Sequence, residues 1–153
     1  ASSLETRSLE LVNTHTAESL KADYFLGGSY CEQSLFALNH LLRDFRTGDV
    51  APIDPQLFDL LHGAAVLAGK EPRFEVISGF RSPATNAMLN ERSNGVARRS
   101  LHMEGRAIDV RLQGYRTDRL RDLALSMQAG GVGFYRKSDF VHLDTGRVRT
   151  WAG

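Results

Sequence analysis

Cysteine occurs once in the 153 residues, no run of about 18 apolar residues is present to span a bilayer, and neither sign of charge is in excess. Each shortage closes off a class of protein. The single thiol, Cys31, forms no internal disulfide, and at the start of an apolar-periodic segment it reads as a small buried hydrophobe. Redox compartment stays open, because exported domains of this size dispense with disulfides when the core suffices. Nineteen Lys plus Arg against eighteen Asp plus Glu leave a formal charge of +1. That balance provides neither a basic field for nucleic acid nor an acidic tail. The opening residues, ASSLETRSLELVN, lack the basic start and apolar stretch of a signal peptide, so the chain reads as soluble as given. Numbering from Ala1 is also what a processed chain would show, which leaves export open. Internal repeats and low-complexity segments are absent as well.

What remains is 42% hydrophobic, enough for one compact domain with its own core, expected to span 1–153. Over 9–25 the loose alternation LELVNTHTAESLKADYF predicts two strands in a hairpin, broken by Gly27-Gly28-Ser29. A helical scaffold is expected over 31–69. Leu35, Phe36, Leu38, Leu41, Leu42 and Phe45 recur at helical spacing up to Thr47-Gly48. Asp54-Pro55 then supplies an N-cap and a first-turn proline for a second helix, with Leu57, Leu60, Leu61, Ala64, Ala65 and Leu67 as its buried face and Gly69 as its stop. The remaining half, 74–151, begins with the β-prone Phe74–Ile77, a turn that should expose Arg81, and a helix opened by Pro83 that runs to Arg92. A loop is expected over 93–100, a strand over 107–112, a helix from a Thr117 cap through Gln128, and strands over 132–135 and 140–144. The fold class predicted is α+β, an antiparallel sheet packed by helices on one side, since the late strands are joined too tightly for repeated parallel crossovers.

Three side chains carry metal-ligand chemistry: His102 and Asp109 in SLHMEGRAIDV, and His142 in DFVHLD. Two imidazoles and one carboxylate suit zinc and leave a fourth position for water, as catalytic sites require. Asp109 on a central strand and His142 on its neighbour can share a face, with a turn at Gly105 folding His102 back toward them. A purely structural account is available too, in which Arg106 or Arg111 pairs with a carboxylate that is costly to bury alone. His15, His40 and His62 read as surface or hydrogen-bonded residues without a functional role.

The stretch Ser100-Leu101-His102-Met103-Glu104-Gly105-Arg106-Ala107-Ile108-Asp109 resembles the S-x-H-x-x-G-x-A-x-D signature of the D-Ala-D-Ala metallopeptidase superfamily, which also includes the zinc domain of hedgehog proteins. The resemblance continues in Ser78-Gly79-Phe80-Arg81-Ser82 and in Phe140 to Gly146, and covers 74–151 in the right order. Within that superfamily the ending VHLDTGRVRTW looks most like the twin-arginine-exported murein endopeptidases of Gram-negative bacteria. It implies a hedgehog/D-Ala-D-Ala-peptidase-like zinc fold, Zn2+ as cofactor, and peptidoglycan stem peptides as partners in the periplasm or cell envelope. His102, Asp109 and His142 would be the metal ligands. Arg81 would hold substrate or the developing oxyanion, where the alternative is a surface salt bridge. Ser100 would contact substrate, where the alternative is a turn cap.

The implied reaction is hydrolysis of cross-links at meso-diaminopimelate. D,D-carboxypeptidase or dipeptidase activity is the nearest enzyme alternative, and a non-catalytic zinc-stabilised peptidoglycan-binding module is the alternative of another class. Two acids compete for the role of general base. Asp139, three positions before His142, matches an acidic position in several superfamily members, yet Ser138-Asp139 also reads as a turn. Asp144 lies two residues past His142 on the same strand face, from which it could instead orient the imidazole.

Overall fold

A computed structural model of the chain describes residues 5–92 and 100–153; of the loop expected over 93–100, only Ser100 falls among them. The described residues form four helices around an eight-stranded sheet of order β3-β2-β1-β4-β5-β7-β6-β8. The strands are β1 (Thr6–Asn13), β2 (Ser19–Leu26), β3 (Ser29–Tyr30), β4 (Arg73–Ser78), β5 (Ala107–Leu112), β6 (Gly131–Tyr135), β7 (Phe140–Asp144) and β8 (Arg149–Ala152). The helices are α1 (Glu32–Leu41), α2 (Pro55–Ala68), α3 (Pro83–Arg92) and α4 (Thr117–Met127). None is long and apolar enough to cross a membrane.

The α+β class holds, but the sheet is mixed rather than antiparallel. β1 runs parallel to β4, and β6 parallel to β8. The first pairing is possible because α1 and α2 intervene between β1 and β4, a crossover of the length a parallel pair needs. β8, a strand not expected from the sequence, lies beside β6 on the side away from β7.

Period-two alternation assigns the two faces different work. One face is the core: cross-strand partners Leu11, Phe74 and Leu112, then Val110 with Val141 and Leu143 with Val132, pack against Leu57, Phe58 and Leu61 of α2 and Leu120 and Ala124 of α4. Asp54 caps α2 by accepting from Gln56 N–H, and Gly69 ends it in the left-handed conformation, as the sequence predicts. Several other expectations are corrected. Phe36 and Leu67 fit the helical period but point to solvent, 75% and 62% exposed, because the buried stripes of these helices are narrower than the apolar ones. α1 stops at Leu41, where Asp44 accepts from the N–H groups of Arg46 and Thr47 and closes a turn. Cys31 is only part-buried, at the N-cap of α1. Thr117 is the first helical residue of α4, preceded by Arg116 as N-cap, and its hydroxyl donates to Asp139.

Candidate metal centre

The opposite face of the sheet carries the polar residues. Ser78, Asp109, His142, Gly133 and Trp151 are successive cross-strand partners from β4 to β8, so their side-chain positions form one row. His102 reaches this row from outside the sheet. It rides on a single 3-10 turn, Leu101–Glu104, begun by Ser100, whose Oγ accepts from His102 N–H at 3.1 Å. Gly105 closes the turn at φ 68°, packed so tightly that a Cβ would lie 2.2 Å from Pro52 O. The turn does fold His102 back onto Asp109.

His102, Asp109 and His142 are all buried, and one ligand atom of each lies within 4.8 Å of the others. Asp109 Oδ1 is 3.2 Å from His102 Nε2 and 3.1 Å from His142 Nδ1. Each imidazole's other nitrogen is engaged. His102 Nδ1 lies 2.8 Å from Gly79 O, and His142 Nε2 lies 2.7 Å from Asp144 Oδ2. A carbonyl and a carboxylate only accept, and a neutral imidazole has one proton to give. Asp109 Oδ1 is an acceptor too, so the outer contacts permit rather than impose the tautomer in which each ring carries its proton outward and turns a lone pair toward Asp109. With both rings in that tautomer, two imidazole nitrogens and one carboxylate oxygen face one point, a donor set that fits zinc.

The electrostatics of the cluster differ between the two imidazoles. Burial would raise the Asp109 carboxyl, but the two histidines hold it well below the usual range. Burial lowers His102, with Asp109 only partly offsetting it. It would lower His142 too, yet Asp109 and Asp144 together leave that imidazole raised.

Arg81, expected on an exposed turn, is only 15% exposed. Its guanidinium donates to Asp109 Oδ2 at 3.3 Å and to Ser78 Oγ at 3.2 Å. Neither Arg106 nor Arg111 pairs with Asp109. Arg106 donates to Thr145, and Arg111 to the carbonyls of Ser138 and Asp139. Ser100 makes the capping contact described above.

The two candidate bases sit in different surroundings. Asp144 is fully buried and receives five N–H groups, from Gly131, Gly146, two nitrogens of Arg149, and His142. Burial would raise its carboxyl, but these donors hold it far below the normal range. Asp139 is 64% exposed, on a turn at φ 58°, bonded to the Thr117 hydroxyl with Arg111 Nε 3.9 Å from its second oxygen. Among the described residues, no hydrogen bond or ion pair links it to the His–Asp–His cluster. His15 stacks on Phe45, and neither it nor His40 or His62 joins the cluster.

Sequence reasoning missed the support supplied by β8. Arg149 reaches Asp144 and Trp151 reaches the His142 ring, at 4.9 Å between centroids, by lying across β6. They can do so because β6 has glycine at both crossing points. A Cβ on Gly131 would meet Arg149 at 2.3 Å, and one on Gly133 would meet Trp151 at 2.4 Å. The alternation Arg149-x-Trp151 opposite Gly131-x-Gly133 was the available signal.

Asp44 braces the other flank. Buried at the end of α1, it accepts from Ser82 N–H at 2.9 Å, next to Arg81. Burial would raise its carboxyl, but donors from Thr85, Ser82 and Arg46 lower it to about 2 from 3.8. A carboxyl lowered on folding stabilises above its unfolded pKa and loses that contribution as pH falls through the folded one. Asp44 should thus contribute about 2 kcal/mol at neutral pH that disappears between about pH 4 and 2. Denaturant titrations at stepped pH should show the loss in the parent and a flatter profile in Asp44→Asn.

Among known proteins, residues 1–151 match the family described as peptidoglycan L,D-endopeptidase MepK. The protein of that name from Escherichia coli strain K12 is 47% identical over 145 residues, covering 95% of this chain and 80% of the relative. The Shigella flexneri protein matches to the same extent. A probable peptidoglycan L,D-endopeptidase MepK from Haemophilus influenzae is 40% identical over 148 residues, 96% of this chain and 80% of its own. No solved structure matches significantly.

Proposed function

The chain belongs to the peptidoglycan L,D-endopeptidase MepK family, in the murein endopeptidase branch of the D-Ala-D-Ala metallopeptidases, and from that premise we propose that it is a single-domain zinc peptidase hydrolysing peptide cross-links in peptidoglycan. The observation that carries this reading is the convergence of His102 Nε2, His142 Nδ1 and Asp109 Oδ1, each imidazole having an acceptor at its outer nitrogen. When bound there, zinc supplies a Lewis acid that lowers the pKa of water toward neutrality.

The chain's own residues do the rest. Asp144, its lone pairs already taken, fixes the His142 tautomer and ring orientation, and Arg149 fixes Asp144. Arg81 holds a positive charge beside Asp109, where it can bind substrate and stabilise negative charge growing on the scissile carbonyl oxygen. Ser100 contacts substrate at the rim of the 3-10 turn. Asp139 is the exposed acid of the two, and it accepts the proton of the attacking water after its side chain leaves Thr117 and Arg111.

The relatives' name specifies a bond between L and D centres. A cross-link between two meso-diaminopimelate residues joins the L-centre carbonyl of one to the D-centre amine of the other and so is such a bond, and this is the linkage we assign. The site of action is then the periplasm or cell envelope. Digestion of purified sacculi by the zinc-loaded protein should convert cross-linked muropeptides to monomers, with about one zinc per chain and loss of activity to a chelator. A fully metallated protein that releases nothing would reduce the assignment to a zinc-stabilised binding module.

A further inference from the structure

One polar group on the site face has no part in the chemistry above, the hydroxyl of Tyr135. Tyr135 lies on β6 two residues beyond Gly133, the partner of His142, and is itself paired with Phe140 on β7. It therefore stands one row from the metal-ligand row on the same face. Arg81 approaches Asp109 from the Ser78 side, whereas Tyr135 flanks the row from the side of β6 and β8.

The phenol is held on three sides. Its ring stacks on Phe140 at 4.6 Å with 15° between planes. Gly153 packs against its edge so closely that a Cβ there would lie 2.5 Å from the ring. Its oxygen accepts from Trp151 Nε1 at 2.9 Å. The same indole lies over Gly133 and against the His142 ring, so one side chain joins the phenol to the proposed ligand set. The indole N–H can only donate, which leaves the phenolic hydrogen available, and no acceptor among the described residues takes it. A fixed donor with its hydrogen unused, one row from the proposed ligand set, can lower a barrier without reorganisation where developing charge comes within its reach.

We propose that Tyr135 is a further catalytic residue, donating its phenolic hydrogen bond to the scissile carbonyl oxygen as negative charge develops there, across the site from Arg81. Trp151 is the positioning residue that aims it. This rests on the peptidase reading. No covalent step is involved; the hydrogen stays on the phenol oxygen throughout.

The test compares Tyr135→Phe and Trp151→Phe with the parent, all zinc-loaded, on a purified cross-linked muropeptide and on a phosphinate pseudopeptide of the same cross-link. Tyr135→Phe should keep its zinc and its melting temperature, lower kcat by about 10²-fold and leave KM within about threefold, since removing one such donor costs about 10²–10³-fold. Its phosphinate affinity should fall by a comparable factor. Trp151→Phe should move both in the same direction by less. Unchanged kcat and phosphinate affinity in Tyr135→Phe would overturn the proposal. So would early melting or zinc loss in that variant, which would mark the phenol as structural. If the parent itself cleaves nothing, the peptidase reading falls, and Tyr135 is judged on the phosphinate alone: equal binding by parent and variant, or binding by neither, ends the proposal.

Discussion

Asp109→Ala should yield a folded protein with little zinc and no release of muropeptides from sacculi. Asp109 Oδ1 is the atom both imidazoles face, at 3.2 and 3.1 Å, so its removal takes away a ligand and the group that holds the other two in register. Zinc affinity should drop by more than the roughly 10–100-fold that loss of an outer partner costs. The fold should persist because the core lies on the other face of the sheet, where Ile108 and Val110 of the same strand pack, and truncation at Asp109 removes nothing from it. Arg81 loses its carboxylate in this variant, so Asp109→Asn is the companion that keeps size and one acceptor. Elemental analysis, chelator competition and circular dichroism on both variants decide the matter. Parent-like zinc affinity in Asp109→Ala would remove this residue from the ligand set.

How far the site could be read in advance follows from where its information lies. The hairpin, the Asp54-Pro55 start and Gly69 stop of α2, and β5 were legible because each depends on local chemistry: alternation, a cap, a proline, a left-handed glycine. The cluster of His102, Asp109 and His142 was legible as residue types bracketing a strand and a turn, and the register Asp109 with His142 then places two of them side by side. The mixed sheet was not legible. Nothing within β1 or β4 encodes that they pair in parallel, since that follows from helices of α1 and α2 packing back on the sheet. Phe36 and Leu67 show the opposite failure, in which local period was right for a helix and uninformative about which side faced a partner. Arg81 was placed on the right turn but given the wrong environment, because its burial depends on Asp44 and Asp109, 37 and 28 residues away in sequence. The β8 contribution was hidden for the same reason, with Arg149 and Trp151 acting through gaps left by glycines on another strand.

The two acids should separate cleanly on substitution. Asp139→Asn is expected to keep the parent's zinc and substrate affinity while kcat falls by about 10²–10⁴-fold, the range for loss of a proton acceptor. Its carboxylate is exposed and bonded within the described residues only to Thr117 and the flanking Arg111, so the isosteric amide leaves the fold undisturbed. Asp144→Asn should act differently. The amide cannot accept from His142, Arg149, Gly131 and Gly146 together, so one buried N–H group must face another, at a cost of about 1–3 kcal/mol. The His142 ring then loses its fixed tautomer, and zinc affinity should fall by about 10–100-fold, with turnover recovering as zinc is raised. Thermal melting of Asp144→Asn comes first, because a variant that is partly unfolded would mimic weak metal binding. A fully metallated, folded Asp144→Asn that is dead beside an active Asp139→Asn would move the proton-accepting role to Asp144. It would also mean that Arg149 releases this carboxylate during the reaction, so Arg149→Lys, which breaks the paired contact but keeps the charge, should then raise activity rather than lower it.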